Sequence, residues 1–166
     1  MLQKSFGYGA ILMCGHLFAA TALAQETAQN CLKVSETRQI EERHIDAQGH
    51  ATVKLKDAAT AARGEVVRFT LQAINGCAAA LDPAVIDFAL PERVTYLLGT
   101  ATSAAASDIT YSINGKTYGR FDALAIHDSS GPRPARAEDI KSIRWVFRKP
   151  LAPQSSRSVR FRASKN

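Results

Sequence analysis

With 166 residues, 46% of them hydrophobic and 22% charged, the chain can bury a real core, which excludes a disordered protein and suits one domain better than two. Its 21 Lys and Arg against 15 Asp and Glu give a modest +6, so where that charge lies matters more than its total. Internal repeats and low-complexity tracts are absent from the sequence.

Residues 1–24 read as an export signal. Lys4 supplies a cationic start, residues 6–23 are nearly all apolar or small, and Ala22, Leu23 and Ala24 offer a small-x-small cleavage site. Gly7, Gly9, Gly15 and His16 interrupt the apolar run, which argues against a permanent membrane helix. Cys14 follows Leu12 and Met13, where a lipoprotein cysteine would want small residues. Cleavage after Ala24 leaves an expected exported chain of 142 residues, 25–166, with 20 basic and 15 acidic side chains. Residues 25–99 hold 8 basic and 10 acidic groups, and residues 100–166 hold 12 and 5. The balance moves from −2 to +7, an asymmetry that suits an anionic neighbour on one side of the fold.

Beyond the leader, strand follows strand. Residues 37–45 and 51–56 flank Asp46, Ala47, Gln48 and Gly49, a polar turn that predicts a hairpin. In residues 65–74, Val67, Phe69, Leu71 and Ala73 alternate with Arg68, Thr70 and Gln72, the period of a half-buried strand. Further strands are expected at 84–90, 94–98, 109–113, 124–127, 142–147 and 158–163, separated by Pro83, Pro91, Gly115, Pro132, Pro150 and Pro153. Residues 101–107 read as a loop and 134–141 as one helical turn. Short strands at regular spacing around a single Trp145 predict an all-β, immunoglobulin-like antiparallel β-sandwich. The expected layout is an N-terminal hairpin unit, 25–54, packed on a sandwich domain, 55–166. No wall-anchoring or membrane tail is expected after the last strand.

Cys31 and Cys77 remain once the leader is gone. A single pair in an oxidising compartment is expected to bridge, closing 45 intervening residues. No His or other Cys lies within three residues of either one, so a zinc site is not expected there.

Several pieces together carry a likeness. Gly64 and Glu65 open a strand closing on Asn75; residues 85–90 end at Leu90 and Pro91; Tyr96 sits in the next strand; and Gly115, Lys116, Thr117 and Tyr118 make a hairpin. Arg133 to Asp139, with Ile143 and Trp145 after them, and a closing strand at 159–163 complete the order. Over residues 55–163 the chain resembles a bacterial surface-repeat family catalogued as domain of unknown function eleven, in its short stand-alone form. That resemblance implies an immunoglobulin-like sandwich, an envelope location and no known catalytic residues. Gly76 and Cys77 depart from the family's pattern, so Cys77 reads as a local addition paired with Cys31.

A search for chemistry is largely negative. His44 and His50 flank the hairpin turn without a third soft ligand. His127, Asp128 and Ser129 are triad types in an unsuitable contiguous order. Glu41 and Glu42, adjacent on a strand, point to opposite faces, and Glu138 and Asp139 suit the first turn of a short helix. No catalytic residue, metal site or cofactor is expected. The basic set is more suggestive: Arg144, Arg148, Arg160 and Arg162 alternate with core-type residues, and if their two strands pair, four guanidiniums share one surface suited to phosphate or carboxylate. The aromatics alternate to the other side, which argues against nucleic acid. The expected function is a non-catalytic exported cell-envelope protein, a structural or interaction module of the periplasm or cell surface. Its partners would be another envelope protein, reached by strand addition at a sheet edge, or an anionic envelope polymer or lipid. The alternative is a small periplasmic hydrolase or metal carrier.

Overall fold

The computed structural model describes residues 31–166; the expected leader, 1–24, lies outside the described residues. Among the described residues, eleven strands fall into a larger and a smaller antiparallel sheet and a separate two-stranded ribbon. The larger sheet runs β2 (Ala51–Asp57), β1 (Leu32–Ile45), β3 (Val66–Asn75), β11 (Ser156–Lys165), β5 (Val94–Tyr96), and the two-residue β6 (Thr102–Ser103) also pairs with β11. The smaller runs β4 (Val85–Ala89), β10 (Ser142–Phe147), β7 (Ser107–Ser112). The ribbon joins β8 (Ala125–Asp128) to β9 (Gly131–Pro134).

Period-two alternation decides which side chains meet between the two sheets. Val67, Phe69, Leu71 and Ala73 of β3 and Val159, Phe161 and Ala163 of β11 are buried, as are Ile143, Trp145 and Phe147 of β10. Phe69 and Phe161 stack with centroids 4.7 Å apart. Phe88 sits 5.4 Å and Trp145 6.3 Å from Phe161, so the aromatic centre is shared by both sheets. Each such side chain contributes roughly 1.5–3 kcal/mol of burial, and the architecture is an all-β sandwich. Among the described residues no helix is long and apolar enough to cross a membrane.

The predicted hairpin is present, with Ile45 opposite Ala51. Its turn is tied by Asp46 Oδ1, which accepts from the backbone N–H groups of Gln48 (3.0 Å) and His50 (2.8 Å), while Gly49 takes the positive φ of 85° that the turn requires. Cys31 and Cys77 are joined as expected, their Cα atoms 5.3 Å apart. The link lies beside the Leu32–Asn75 pair of the β1–β3 ladder. Asn75, fully buried, donates from Nδ2 to the carbonyls of Ala79 and Leu151 and accepts from Cys77 N–H, which shapes the turn carrying the cysteine.

Three expectations are corrected. The division at residues 54 and 55 cuts through β2, and β1 lies inside the larger sheet, so the N-terminal strands are part of the sandwich rather than a unit packed on it. The expected loop at 101–107 contributes β6 because Val159 and Arg160 offer their backbone to Ser103 and Thr102. Gly131 and Pro132, read as a breaker, open β9 instead: a ribbon strand with one free side tolerates Pro132 and Pro134, which have no N–H to donate. The helical turn near 134–141 is a single 3₁₀ turn, Ala137–Asp139.

Candidate anion-binding groove and amphipathic hairpin

The four arginines singled out above do not share a surface. β10 lies between β4 and β7 and β11 between β3 and β5, so the pairing on which the common surface depended does not occur. Alternation correctly turned all four side chains away from the core, but it carries no information on which sheet a strand joins. Arg144 and Arg148 lie on the smaller sheet's side. There Arg144 opposes Asp87 in register and binds it with both nitrogens of its fork, Nε to Oδ1 at 2.5 Å and Nη2 to Oδ2 at 2.7 Å, while its guanidinium sits 3.8 Å from the Tyr118 ring centroid. Arg148 donates to Asp108 Oδ1 at 2.5 and 3.1 Å. These hydrogen bonds hold the Asp108 carboxyl below its usual range and raise Arg144. Both guanidiniums are locally neutralised.

Arg160 and Arg162 lie on the outer face of the larger sheet. Arg162 stands opposite Arg68 across the β11–β3 ladder, and Arg68 opposite Gln39 of β1. Two residues along β1, Glu41 reaches back between them: Arg68 Nε donates to its Oε1 at 2.6 Å and Arg162 Nη1 to its Oε2 at 3.3 Å. The Glu41 side chain is only 9% exposed. Together with Gly99, Thr100, Thr102 and Ser103 these residues line an open groove of about 420 Å³. Thr100 Oγ1 accepts from Arg162 N–H (3.0 Å) and donates to the Leu97 carbonyl (2.6 Å), which fixes the wall. Three guanidiniums and one carboxylate line the groove, a net +2; Arg68 and Arg162 share Glu41, and among the described residues Arg160 has no acidic partner. Arg68 and Glu41 escaped sequence reasoning as site residues because they come from strands 27 positions apart. The outward position of Arg68 was legible from its alternation with Val67 and Phe69, but its neighbours were not.

The same outward face continues onto the hairpin. β1 leaves β3 after the Ile40–Val67 pair, and residues 41–45 pair with β2 alone. The register places Glu41 beside Leu55, Arg43 beside Val53 and Ile45 beside Ala51 on the side of the groove. Ile45, Val53 and Leu55 are 62%, 52% and 40% exposed. The opposite side carries Glu42, Lys54, Lys56 and His44, with Lys56 on Glu42 at 2.5 Å. Glu41 and Glu42 thus occupy separate faces, as adjacent strand residues must. Every residue of β2 is exposed, and β2 ends the larger sheet, so one edge is open among the described residues.

The remaining candidates are structural. His50 Nδ1 lies 3.1 Å from Asp46 Oδ2 within the turn, and among the described residues no three His, Cys, Asp or Glu side chains are grouped to hold a metal. Asp128 accepts from the N–H (2.9 Å) and the hydroxyl (2.5 Å) of Ser130, closing the β8–β9 turn. Asp139 accepts from both Nη atoms of Arg133, at 2.6 and 2.9 Å, and from Arg136 N–H, which together hold its carboxyl down at about 2. Comparison of the chain with protein-family models, with curated proteins and with solved structures finds no match.

Proposed function

We propose that this chain is a non-catalytic, exported interaction module of the cell envelope, with an immunoglobulin-like sandwich as scaffold, that binds an anionic component through the outer face of its larger sheet. The observation that carries this reading is the unequal sharing of charge in the groove. Arg68 and Arg162 divide one carboxylate and, among the described residues, Arg160 has none, so an incoming anion meets guanidinium forks that those residues do not fully satisfy. The export signal read at residues 1–24 and the resemblance to an envelope family support the setting. In the test, the protein purified after export is offered anionic polymers and vesicles at rising salt. Retention that falls steeply with salt, and that Arg160→Gln with Arg162→Gln abolishes, supports the proposal. Stoichiometric copper or zinc in the purified protein, or turnover in a hydrolase screen, favours the metal carrier or hydrolase instead.

A second reading, strand addition by another envelope protein, is favoured by the open β2 edge. Hydrogen exchange slowed in β2 alone, on adding the products of neighbouring genes, supports it. Unchanged exchange rejects those partners.

A further inference from the structure

In the sandwich the apolar side of each strand faces inward, whereas on the hairpin it faces solvent. Ile45, Val53 and Leu55 stand on the same side as Arg68, Arg160 and Arg162, with Glu41 and Arg43 among them, while Glu42, Lys54 and Lys56 stand on the other. A hairpin that merely needed to stay soluble would carry its polar side outward on both faces. Arg43 stands between Ile45 and Leu55 on that apolar side, where a long stem can lie along apolar surface with its charge at the rim.

From this we infer that the continuous face is a membrane-docking surface. Anionic phospholipid phosphates occupy the groove at Arg160, Arg162 and Arg68, and Ile45, Val53 and Leu55 enter the headgroup–acyl boundary. The proposal rests on the anion-binding reading above and adds its partner: a bilayer, rather than a soluble polymer, is what offers phosphate and hydrocarbon side by side to one face. Charge complementarity chooses the lipid, since the groove carries +2 and Arg43 adds one more cation on the same side. Glu41 is the resident counter-ion: it holds Arg68 and Arg162 in place and limits the attraction for lipid phosphate.

Flotation of the exported protein with vesicles tests this, comparing phosphatidylcholine alone with phosphatidylcholine containing phosphatidylglycerol. Binding is expected only with the anionic lipid. Arg160→Gln with Arg162→Gln should weaken it about twenty-five-fold, at about fivefold per cation near an anionic surface. Val53→Ser with Leu55→Ser should weaken it about tenfold or more, through lost apolar burial. Glu41→Gln should strengthen it several-fold, and Arg144→Gln with Arg148→Gln, on the other sheet, should leave it unchanged. Thermal unfolding of each variant establishes that the fold persists. The replaced arginines, Val53 and Leu55 are exposed or half-exposed, and Gln keeps the shape of the largely covered Glu41, so a folded comparison is expected for each. Equal binding to a soluble anionic polysaccharide, with no loss in the Val53/Leu55 variant, overturns the bilayer while leaving the anion reading standing. Competition by glycerol phosphate as potent as that by vesicles also overturns it, by showing that the headgroup alone suffices. Absence of binding to any anion removes both.

Discussion

The two outward faces of this sandwich begin from the same sequence device and end with different electrostatics. On each, arginines alternate with buried apolar residues along one strand. On the smaller sheet Arg144 and Arg148 each have an aspartate of their own, Asp87 and Asp108. On the larger, Arg68 and Arg162 share Glu41 and, among the described residues, Arg160 stands without an acid. Alternation therefore tells which side chains are wet, and the partner strand tells whether they are neutral. Within the basic C-terminal half, Arg160 and Arg162 therefore lie in a groove of net +2 on one face while Arg144 and Arg148 are paired on the other.

The substitution with the largest expected effect breaks the comparison altogether by removing what the faces share. Phe161 stacks on Phe69 and packs against Phe88 and Trp145, beneath the strand that carries Arg160 and Arg162. Phe161→Ala should cost about 3–5 kcal/mol in urea unfolding, a large part of the roughly 5–15 kcal/mol available to such a domain. A loss below about 1 kcal/mol would mean that the sheets do not depend on this contact. Next comes the disulfide, which acts on one face only. It fixes the start of β1 to the turn after β3, and closing a loop of sequence separation 46 contributes about 4 kcal/mol by chain entropy. Cys31→Ser with Cys77→Ser should lower the melting temperature and loosen Glu41, carried on β1, while the Arg144–Asp87 pair keeps its geometry by NMR. Equal disturbance of both faces would show that β1 is not an independently clamped element.

The strands and their inward sides were legible because burial imposes a two-residue period wherever one side of a sheet is covered. Residues 142–147 became β10 with unchanged bounds, and the hairpin at Asp46 to Gly49 was marked by its polar turn. Sheet membership was not legible. Which of β10 and β11 neighbours β3 is a matter of long-range pairing, and no local pattern in Ile143, Trp145 and Phe147 distinguishes it from Val159, Phe161 and Ala163. For the same reason half of the candidate site was visible, Arg160 and Arg162, whereas Arg68 and Glu41 required the β1–β3–β11 order. The hairpin shows where periodicity stops informing: Ala51, Val53 and Leu55 alternate like a half-buried strand, and only the projection of β1 beyond β3 shows that nothing among the described residues covers them.

Acid sharpens the contrast next. On the chain leading into β10, the two Arg133 hydrogen bonds hold the Asp139 carboxyl at about 2, below its ordinary 3.8. An acid depressed on folding stabilises the protein above its unfolded value, and that stability is lost as pH falls through the folded one. The loss should therefore lie between about pH 4 and pH 2. Partial solvent screening reduces it to about 1 kcal/mol. Asp139→Asn should flatten that part of the stability profile and leave neutral-pH anion binding on the larger sheet unaltered. An unchanged acid limb in the variant would assign the loss to other carboxylates.

The smallest effect tests the premise that the smaller sheet's charges are neutral rather than structural. Arg144 and Asp87 are paired through two hydrogen bonds but both are substantially solvated, at 35% and 46% side-chain exposure. Water and counter-ions already stabilise each ion in the unfolded chain, so pairing the two in the folded state gains little. A double-mutant cycle of Arg144→Gln and Asp87→Asn should give a coupling of about 0.2–1 kcal/mol. It should shrink toward zero as salt shortens the screening length to about 3 Å at 1 M. Asp87→Asn alone is the more telling half of the cycle. It leaves Arg144 held by Tyr118 but without its opposing charge, a guanidinium with no acidic partner among the described residues, like that of Arg160. If anionic vesicles then begin to bind this side weakly, charge alone suffices for attraction. If they do not, the apolar side of the hairpin, which the smaller sheet lacks, is the part of the larger sheet's face that makes a surface for lipid.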